Sequence, residues 1–440
     1  MARRKSFGIL TALTVQLLLV VTSARSENWA QWRGPAFNGS STETGLPETW
    51  SKTENMLWTA ELPGPSGATP IIWDDRVFIS SADSKNKDLL ALCLNRKDGK
   101  ILWQKQVAAA ADRRPHERKS NMASPSPVTD GKHVFFLYGT GDIAGFDMEG
   151  NQIWARNIQK DYGKFGIMWG YGSSPLLYKD KLYVLVLQRD KLYPPQSYAG
   201  PKLDSYVLAL DPLTGKDIWK HVRETDAKDE TRESYSTPIP YEGNGRSEIL
   251  ISDGDFITGH NPDNGDEYWR FGAMNPKLLG DRRLVVSPVT GAGSIFISTP
   301  KHEPFYAIKA GGTGKLEESS LSWKFAKEFA PDVCTPLFYN DLLYLLDGDK
   351  KIMHCLDPKT GTPKWKGTLP GTAVYDASPT GADGKIYCIN EAGEAVVLSA
   401  GNEFKILATV PMGAPSFASI SASHGELFIR TYTSLYCIGK

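Results

Sequence analysis

Cysteine and histidine, the residue types that most often carry chemistry, are few in this 440-residue sequence. The seven histidines form no H-x-x-x-H pair and the five cysteines form no C-x-x-C pair, which are spacings that hold zinc. The glycine-rich run 311–315 lacks the G-x-x-x-x-G-K-[S/T] spacing of a phosphate-binding loop. We therefore predict no metal site and no catalytic residue, and we interpret 311–315 as a lengthened turn.

Three segments instead contain residue types suited to binding. Residues 162–172 mix aromatic side chains with glycines, and they either offer platforms to a sugar, a quinone or a peptide or pack over neighbouring structure. The basic run 113–119 is either a solvated loop or a contact for an anionic partner. The proline-rich stretch 193–198 is suited to contacting a partner. The candidate contact residues are Phe165, Trp169, Tyr171, Arg113, Arg114, Arg118, Tyr193 and Tyr198.

The chain begins with the pattern of a cleaved signal peptide. Basic residues at 3–5 precede an uncharged run over 7–21, and small residues follow at 22–24. The uncharged run is shorter than the roughly 20 apolar residues that a bilayer requires. We predict that a leader over 1–26 is removed, that the mature chain has no transmembrane span or lipid anchor, and that it is periplasmic or secreted.

The charge balance argues against nucleic acid as a partner. The chain has 50 basic and 50 acidic residues, and loss of the leader, which holds four basic residues and no acidic one, leaves an acidic excess of four. Binding to nucleic acid draws most of its affinity from basic residues that displace counterions. We therefore predict that nucleic acid is not a partner; the predicted partner, a protein or a glycan, follows from the binding loops of the chain.

One pattern recurs eight times along the rest of the chain. A small residue, then Ser or Thr, then Pro is followed seven residues after the Pro by an aliphatic-aromatic pair. Thr237 opens a stretched copy and Ile420 belongs to a copy without the proline. Six copies keep the full pattern, at Thr69, Ser126, Ser174, Ser287, Thr335 and Ser378. A repeat of this period with several short strands predicts an eight-bladed β-propeller, four antiparallel strands to a blade.

A turn and a tryptophan complete most repeats, and Leu407 replaces the tryptophan in the seventh. An Asp-Pro-x-x-Gly type of turn precedes the tryptophan in the clearest copies, because glycine takes positive φ and aspartate bonds its own backbone. The last repeat ends at residue 440 without its tryptophan, and residues 56–62 supply one at the start of the chain. We predict that this N-terminal strand closes the ring, which removes exposed sheet edges. The structural tryptophans are Trp58, Trp103, Trp154, Trp219, Trp269, Trp323 and Trp365.

The predicted organisation is a leader over 1–26, a lead-in segment over 27–56 and one monomeric propeller over 57–440. Antiparallel order places the blade-to-blade and second-to-third-strand connections on one face of the ring. These connections contain the long loops, including 159–172 and 223–234, whereas most turns on the opposite face are short. Binding residues usually lie on long loops of a rigid scaffold, so we predict that the long-loop face is functional.

The repeat Ala-x-Asp-x-x-Thr-Gly-x-x-x-Trp, clearest over 209–219, resembles the pyrroloquinoline-quinone-like propeller repeat. That repeat is shared by quinoprotein alcohol dehydrogenases and by the propeller subunit of the bacterial outer-membrane protein assembly machinery. The segment Trp29-Ala-Gln-Trp-Arg-Gly-Pro35 is similar to the lead-in of exported bacterial relatives. The resemblance implies the fold, whereas one fold can host many functions.

Two functions remain after this resemblance. Quinoprotein dehydrogenases hold their quinone against a disulfide of adjacent cysteines, above a Ca²⁺ bound by carboxylate and amide oxygens. No two cysteines are adjacent here, and Cys93, Cys355 and Cys437 occupy a repeat position suited to a small apolar residue. We predict a non-catalytic binding or scaffold propeller with no cofactor. The alternative is a quinone-dependent or divergent oxidoreductase with pyrroloquinoline quinone and Ca²⁺.

Overall fold

The structure is a computed structural model that describes residue 1 and residues 27–83, 85–109, 121–192, 199–272, 274–300, 304–325 and 330–440. Within these ranges the strands form eight sheets around one ring, and each sheet contains four antiparallel strands. The predicted eight-bladed propeller is confirmed. The leader at 2–26 lies outside the described residues, as do the candidates Arg113, Arg114, Arg118, Tyr193 and Tyr198.

In the first four blades the strands follow one another from the ring axis outward. Blade 1 consists of β2 (Ile71–Trp73), β3 (Arg76–Ala82), β4 (Leu89–Asn95) and β5 (Ile101–Ala108). Blade 2 consists of β6 (Val128–Thr129), β7 (His133–Leu137), β8 (Asp142–Asp147) and β9 (Gln152–Asn157). Blade 3 consists of β10 (Leu176–Tyr178), β11 (Lys181–Val186), β12 (Ser205–Leu210) and β13 (Asp217–Arg223). Blade 4 consists of β14 (Ile239–Gly243), β15 (Arg246–Ser252), β16 (Ile257–His260) and β17 (Glu267–Phe271).

The last four blades repeat this order, and the eighth borrows its outer strand from the start of the chain. Blade 5 consists of β18 (Val289–Gly291), β19 (Ser294–Ser298), β20 (Phe305–Lys309) and β22 (Leu321–Phe325). Blade 6 consists of β23 (Leu337–Tyr339), β24 (Leu342–Asp347), β25 (Ile352–Leu356) and β26 (Pro363–Thr368). Blade 7 consists of β27 (Thr380–Ala382), β28 (Lys385–Ile389), β29 (Glu394–Ser399) and β30 (Ile406–Pro411). Blade 8 consists of β31 (Ser421–Ser423), β32 (Glu426–Arg430), β33 (Ser434–Ile438) and β1 (Met56–Glu61).

Little regular structure lies outside the blades in the described part of the chain. A fifth strand, β21 (Gly314–Leu316), pairs in parallel with β17 at the outer edge of blade 4. A short helix, α1 (Ile158–Tyr162), follows β9, and 3-10 turns occur at Asp229–Arg232 and Glu318–Ser320. None of the helices in the described ranges could span a lipid bilayer.

Burial depends on the position of a strand within its blade. The middle strands, such as β3 and β4, are buried at almost every residue because both of their faces pack against neighbouring blades. The outermost strands alternate, and in β9 the side chain of Trp154 is buried whereas Ile153 is exposed. The hydrophobic core is therefore a series of interfaces between adjacent blades.

The blade tryptophans connect neighbouring blades. The Nε1–H of Trp58 in blade 8 donates to the carbonyl of Arg96 in blade 1 at 2.6 Å, and its ring covers Gly99, which has φ +70°. A Cβ on Gly99 would lie 2.5 Å from the ring. The glycine therefore makes room for the tryptophan of the preceding blade and also allows the positive φ of its own turn. The indoles of Trp103, Trp154, Trp219, Trp323 and Trp365 likewise donate to a carbonyl of the next blade. Trp269 differs, because its indole donates to Glu248 within blade 4.

The N-terminal strand closes the ring as predicted. Strand β1 pairs antiparallel with β33, with Trp58 opposite Cys437. At the same junction the buried guanidinium of Arg430 donates to the carbonyls of Ser80 at 2.6 Å and Gly64 at 2.9 Å, which ties blade 8 to blade 1. Closure therefore combines strand pairing with a buried cation that is hydrogen-bonded across the seam.

Candidate functional site

A collar of hydroxyl groups surrounds the ring axis, two residues before each innermost strand begins. The hydroxyl oxygen of one blade accepts a hydrogen bond from the backbone N–H of the equivalent residue in the preceding blade. Seven such bonds, 2.8 to 3.1 Å long, connect consecutive residues in the series Thr69, Ser126, Ser174, Thr237, Ser287, Thr335, Ser378 and Ser419. These N–H groups precede the strands and lack a ladder partner, so a hydroxyl oxygen satisfies each of them. The Ser/Thr-Pro signature of the repeat thus has a physical cause.

The lead-in segment closes the axial channel at the opposite face, where the short turns lie. The backbone N–H groups of Ile72 in blade 1 and Thr129 in blade 2 donate to the carbonyls of Trp29 and Ala30. The distances are 2.9 and 3.0 Å. From there the segment crosses the axis and places Trp32 in the channel. The channel is thereby a funnel that opens towards the long-loop face.

Arg33 anchors the lead-in segment on the far side of the axis. Its guanidinium is fully buried and donates to the carbonyls of Pro336 at 2.7 Å, Pro379 at 2.8 Å and Asn38 at 3.0 Å. Burial lowers the pKa of Arg33 to about 9 because water no longer stabilises the charge. The contacts join blades 6 and 7 to the segment that carries Trp32, so Trp32 has fixed neighbours on both sides.

The funnel has a volume of about 390 Å³, within the range of roughly 300–1,000 Å³ typical of small-molecule sites. Its wall combines the hydroxyl collar with four aromatic side chains, Trp32, Trp169, Tyr235 and Phe417. A mixed wall of this kind can bury an apolar face of a ligand while it donates hydrogen bonds to the ligand's polar edge.

Trp169 is held in the wall by two hydrogen bonds. Its Nε1–H donates to the carboxylate of Glu230 at 3.0 Å, and its backbone N–H donates to the hydroxyl of Tyr235 at 3.3 Å. That hydroxyl in turn donates to Glu233 at 2.5 Å. Glu233 is fully buried and also ion-paired with Arg189, and burial raises the pKa of its carboxyl. The aromatic wall therefore rests on a buried, hydrogen-bonded network.

The funnel wall carries few charges. Arg283 is the one cation in the described lining, and Asp376 is the one carboxylate. The guanidinium of Arg283 is balanced by two carboxylates, Asp332 at 3.4 Å and Glu230 at 3.8 Å. The described residues of the site therefore carry no positive excess.

The other aromatic candidates of segment 162–172 pack together behind the wall. The rings of Phe165 and Tyr171 stack with their centroids 5.1 Å apart, and the hydroxyl of Tyr171 donates to the carbonyl of Leu185 at 2.8 Å. Tyr171 is only 3% exposed, so it has little surface for a ligand. Of the three aromatic candidates, Trp169 alone lines the funnel. The same funnel contains Trp32 and Arg283, which sequence reasoning missed because no local pattern connects the lead-in or blade 5 to the axis.

Within the described ranges, one cluster of metal-ligating side chains lies between blades 3 and 4. The ligand atoms of His221, His260 and Glu267 lie within 4.8 Å of one another. Arg223, however, is 3.2 Å from Nε2 of His260, and burial together with this charge lowers the pKa of His260 to about 3. Both oxygens of Glu267 accept hydrogen bonds from Arg270 at 2.5 and 2.6 Å. Guanidinium groups thus already contact two of the three side chains, His260 and Glu267, that a metal would need.

The funnel lacks the features that hold pyrroloquinoline quinone in the quinoprotein dehydrogenases, namely a disulfide of adjacent cysteines and a set of Ca²⁺ ligands. All five cysteines are free and buried, and no two are adjacent in sequence, so no adjacent-cysteine disulfide exists to cover the quinone. The described lining contains one carboxylate and no side-chain amide, whereas the Ca²⁺ of quinoproteins needs both. The cofactor is also a polyanion, because its rings carry carboxylates, and Arg283 is the single lining cation. The described residues therefore do not fit this cofactor.

The fold is similar to that of several solved structures at low sequence identity. The quinohemoprotein alcohol dehydrogenase from Comamonas testosteroni matches with a TM-score of 0.71 and 12% identity, over 96% of this chain and 82% of that one. A europium-containing methanol dehydrogenase matches with a TM-score of 0.69 and 10% identity, over 94% and 98% of the two chains. BamB from Moraxella catarrhalis matches with a TM-score of 0.58 and 10% identity, over 87% and 99%. Identities this low show a shared fold and no shared activity.

The family is shown by the sequence itself. No protein of curated function matches the sequence significantly. The profile of the family described as outer membrane protein assembly factor BamB matches residues 43–167 and 253–403, which together make up more than half of the chain. These two ranges contain blades 1, 2, 5 and 6 together with most of blade 7. The chain therefore belongs to the BamB-like family of pyrroloquinoline-quinone-like β-propellers.

Proposed function

We propose that the protein is an exported, non-catalytic binding propeller that contacts a protein or glycan partner through its long-loop face. The observation that carries this proposal is the funnel, which opens on that face, is blocked by the lead-in segment at its other end and has an aromatic and hydroxyl-rich wall. Rigid concave sites with a few convergent polar groups are the usual places for ligands.

The absence of a catalytic constellation in the described funnel supports binding over chemistry. In the part of the lining that the structure describes, Asp376 has no second carboxylate beside it, and no histidine or cysteine side chain is present. Cys334 lies between two lining residues, Val333 and Thr335, but its thiol is buried and donates to the carbonyl of Tyr375 at 3.0 Å. Burial raises the pKa of this thiol well above its usual range, which disfavours the nucleophilic thiolate.

Site-specific photocrosslinking tests which face binds. A photoreactive residue in place of Lys164, exposed on the long loop 159–172, should form adducts in cells that produce the protein. The same residue in place of Leu213, which is 59% exposed on the short-turn face of blade 3, is the matched control. Adducts from position 213 and none from position 164 would contradict the proposal.

Substitution of Trp169 then separates binding from packing. If Trp169 is a contact, Trp169→Ala should lower the affinity for the crosslinked partner by about tenfold or more while the melting temperature changes little. If Trp169 only covers the channel, the melting temperature should fall and the affinity should stay the same. Trp169→Phe keeps an aromatic ring and loses the hydrogen bond to Glu230, so it shows which of the two features the partner needs.

The competing candidate is a quinone-dependent oxidoreductase, and the shared fold with two dehydrogenases is its support. Addition of pyrroloquinoline quinone and Ca²⁺ to the purified protein, followed by an assay with primary alcohols and an artificial electron acceptor, tests it directly. We expect no quinone-dependent turnover. Turnover that is lost on removal of Ca²⁺ would establish the enzyme instead.

A further inference from the structure

We propose that the ligand in the funnel is a neutral carbohydrate, one or a few sugar units long, which stacks on Trp32. This inference rests on the proposed function and adds the chemical class of the ligand. It follows from the charge of the wall, the available hydrogen-bond donors and the position of one aromatic ring.

The charge of the wall favours an uncharged ligand. The described lining contains one cationic side chain, Arg283, and one anionic side chain, Asp376. Arg283 already faces two other carboxylates, those of Asp332 and Glu230. Among the described lining residues, an anionic ligand would meet the carboxylate of Asp376, and a cationic ligand would meet Arg283. A neutral ligand with hydroxyl groups can instead accept from the guanidinium and donate to Asp376.

The hydroxyl collar supplies donors to such a ligand. Each collar hydroxyl that accepts from a backbone N–H still has its own proton, and a hydroxyl rotates to suit its partner. Among the described residues none of the seven accepting hydroxyls donates that proton to a protein acceptor, and all of them except Ser287 line the funnel. Ring and hydroxyl oxygens of a sugar are acceptors that match a circle of donors.

Trp32 supplies a flat apolar surface next to these donors. A pyranose ring has a face of C–H groups, and this face is attracted to the electron-rich face of an indole. Trp32 is half-buried in the channel, and its neighbours on both sides are fixed: Gln31 donates to the carbonyl of Gly34 at 3.1 Å, and Arg33 bonds three carbonyls. A platform fixed in this way loses little conformational entropy when a ligand binds.

A peptide is the main competing ligand, and its hydrogen-bonding groups match the collar less well than those of a sugar. A peptide backbone presents as many N–H donors as carbonyl acceptors. Each collar oxygen already accepts one backbone hydrogen bond, which leaves it one lone pair and one proton, and Asp376 is the single carboxylate of the described lining. A sugar hydroxyl, which both donates and accepts, can use the proton and the lone pair of such a group, whereas a peptide N–H can use only the lone pair.

Calorimetric titration of the purified full chain tests the inference. The probes are cellotriose, maltotriose and triacetylchitotriose as neutral sugars, trigalacturonate as an acidic sugar, and an uncharged peptide of similar size. At least one neutral trisaccharide should bind with a millimolar or lower Kd, and it should bind more tightly than trigalacturonate. Binding of none of the neutral sugars, or tighter binding of the acidic sugar or of the peptide, would overturn the inference.

Substitution of Trp32 locates the site. Trp32→Leu should weaken binding of the neutral sugar by about tenfold or more, since an aromatic anchor is typically worth that much. Trp73→Leu is the matched control, because Trp73 is also half-buried but lies at the short-turn end of β2, outside the funnel lining. It should leave the affinity unchanged. An equal affinity in the Trp32 and Trp73 variants would overturn the placement.

If Trp32→Leu does not fold, Asp376→Asn provides a second test. It removes the lining carboxylate and leaves an amide of the same shape, so it should weaken the neutral sugar severalfold and weaken trigalacturonate less. A larger loss of affinity for trigalacturonate than for the neutral sugar would overturn the inference. Failure of the sugar titrations together with partner adducts at position 164 refutes only the carbohydrate inference, whereas adducts confined to position 213 refute the proposed function itself.

Discussion

The hydroxyl oxygen of Ser126 in blade 2 accepts a hydrogen bond from the backbone N–H of Thr69 in blade 1 at 2.9 Å. Both residues are almost fully buried, with exposures of 2% and 1%. The same bond recurs around the ring, so the Ser/Thr-Pro signature is an inter-blade connection as well as the start of a strand.

Loss of one collar hydroxyl should destabilise the ring measurably. Ser126→Ala leaves the buried N–H of Thr69 without its acceptor, which should cost about 1–3 kcal/mol in the free energy of unfolding. Ser126→Thr keeps the hydroxyl, and threonine occupies the equivalent place in other blades, so this variant should unfold like the wild type. Urea unfolding followed by tryptophan fluorescence measures both. Equal stability of the alanine and threonine variants would show that the hydroxyl bond contributes nothing.

Because the ring of Trp58 packs directly on Gly99, a side chain at position 99 should destabilise the protein. Gly99→Ala places a methyl group 2.5 Å from the indole and also requires positive φ of an alanine. Gly245→Ala is the matched control, because Gly245 has φ +78° and no atom within 4 Å of the added methyl group. The control should lose about 1–2 kcal/mol from strain alone, and Gly99→Ala should lose about 1–3 kcal/mol more from overpacking. Equal losses in urea unfolding would refute the close inter-blade fit.

A buried carboxyl pair outside the funnel should make stability depend on pH. Asp253 is ion-paired with Arg223 at 2.7 Å, and Asp255 accepts from Thr225 at 2.6 Å. Burial and then the charge of Asp253 raise the pKa of Asp255 well above its usual range. The folded protein therefore keeps a proton that the unfolded chain releases above a pH of about 4. The stability that Asp255 contributes is full below that pH and is lost as the pH rises towards the raised pKa.

Asp255→Asn removes this dependence because the amide stays neutral. Unfolding in urea at pH 5 and pH 8 should show that the variant gains on the wild type as the pH rises, by at least about 1 kcal/mol. Asp263→Asn, on an exposed turn, is the control and should change the pH dependence little. A difference between the Asp255 variant and the wild type that does not vary with pH would contradict the raised pKa.

The fold was predictable because its signals are local. The turn before Trp219 and the strand after Ser174 are each contained within a few residues, and their recurrence gives the number of blades. The contacts of Trp58 with Gly99 and of Arg33 with Pro379 join residues far apart in the chain, so no local pattern reveals them.

The candidate site was only partly predictable for the same reason. Strand parity identified the long-loop face, and composition singled out Trp169, which lines the funnel. Composition alone could not distinguish the buried ring of Tyr171 from the lining ring of Trp169 two residues earlier. Trp32 went unnoticed because its role depends on the path of the lead-in segment across the axis.

Export should be visible at the N-terminus of the mature protein. The basic start, the uncharged run and the small residues at 22–24 predict cleavage after Ala24 or Ser26. N-terminal sequencing of protein recovered from the periplasm or medium should therefore begin near residue 25 or 27. Recovery of soluble cytoplasmic protein that still begins at Met1 would contradict this prediction.

Ring closure by the N-terminus should make the first residues after the leader unusually important for stability. Deletion of residues 27–62 removes β1, exposes the edge of β33 and empties the space that Trp58 fills against Gly99. Truncation of a buried tryptophan alone costs about 3–5 kcal/mol, so Trp58→Ala should already lower the melting temperature clearly and the deletion should lower it further. Leu57→Ala is the matched control, because Leu57 is 47% exposed on the same strand and should have little effect. A melting temperature that the deletion leaves unchanged, measured by circular dichroism, would refute closure of the ring by this strand.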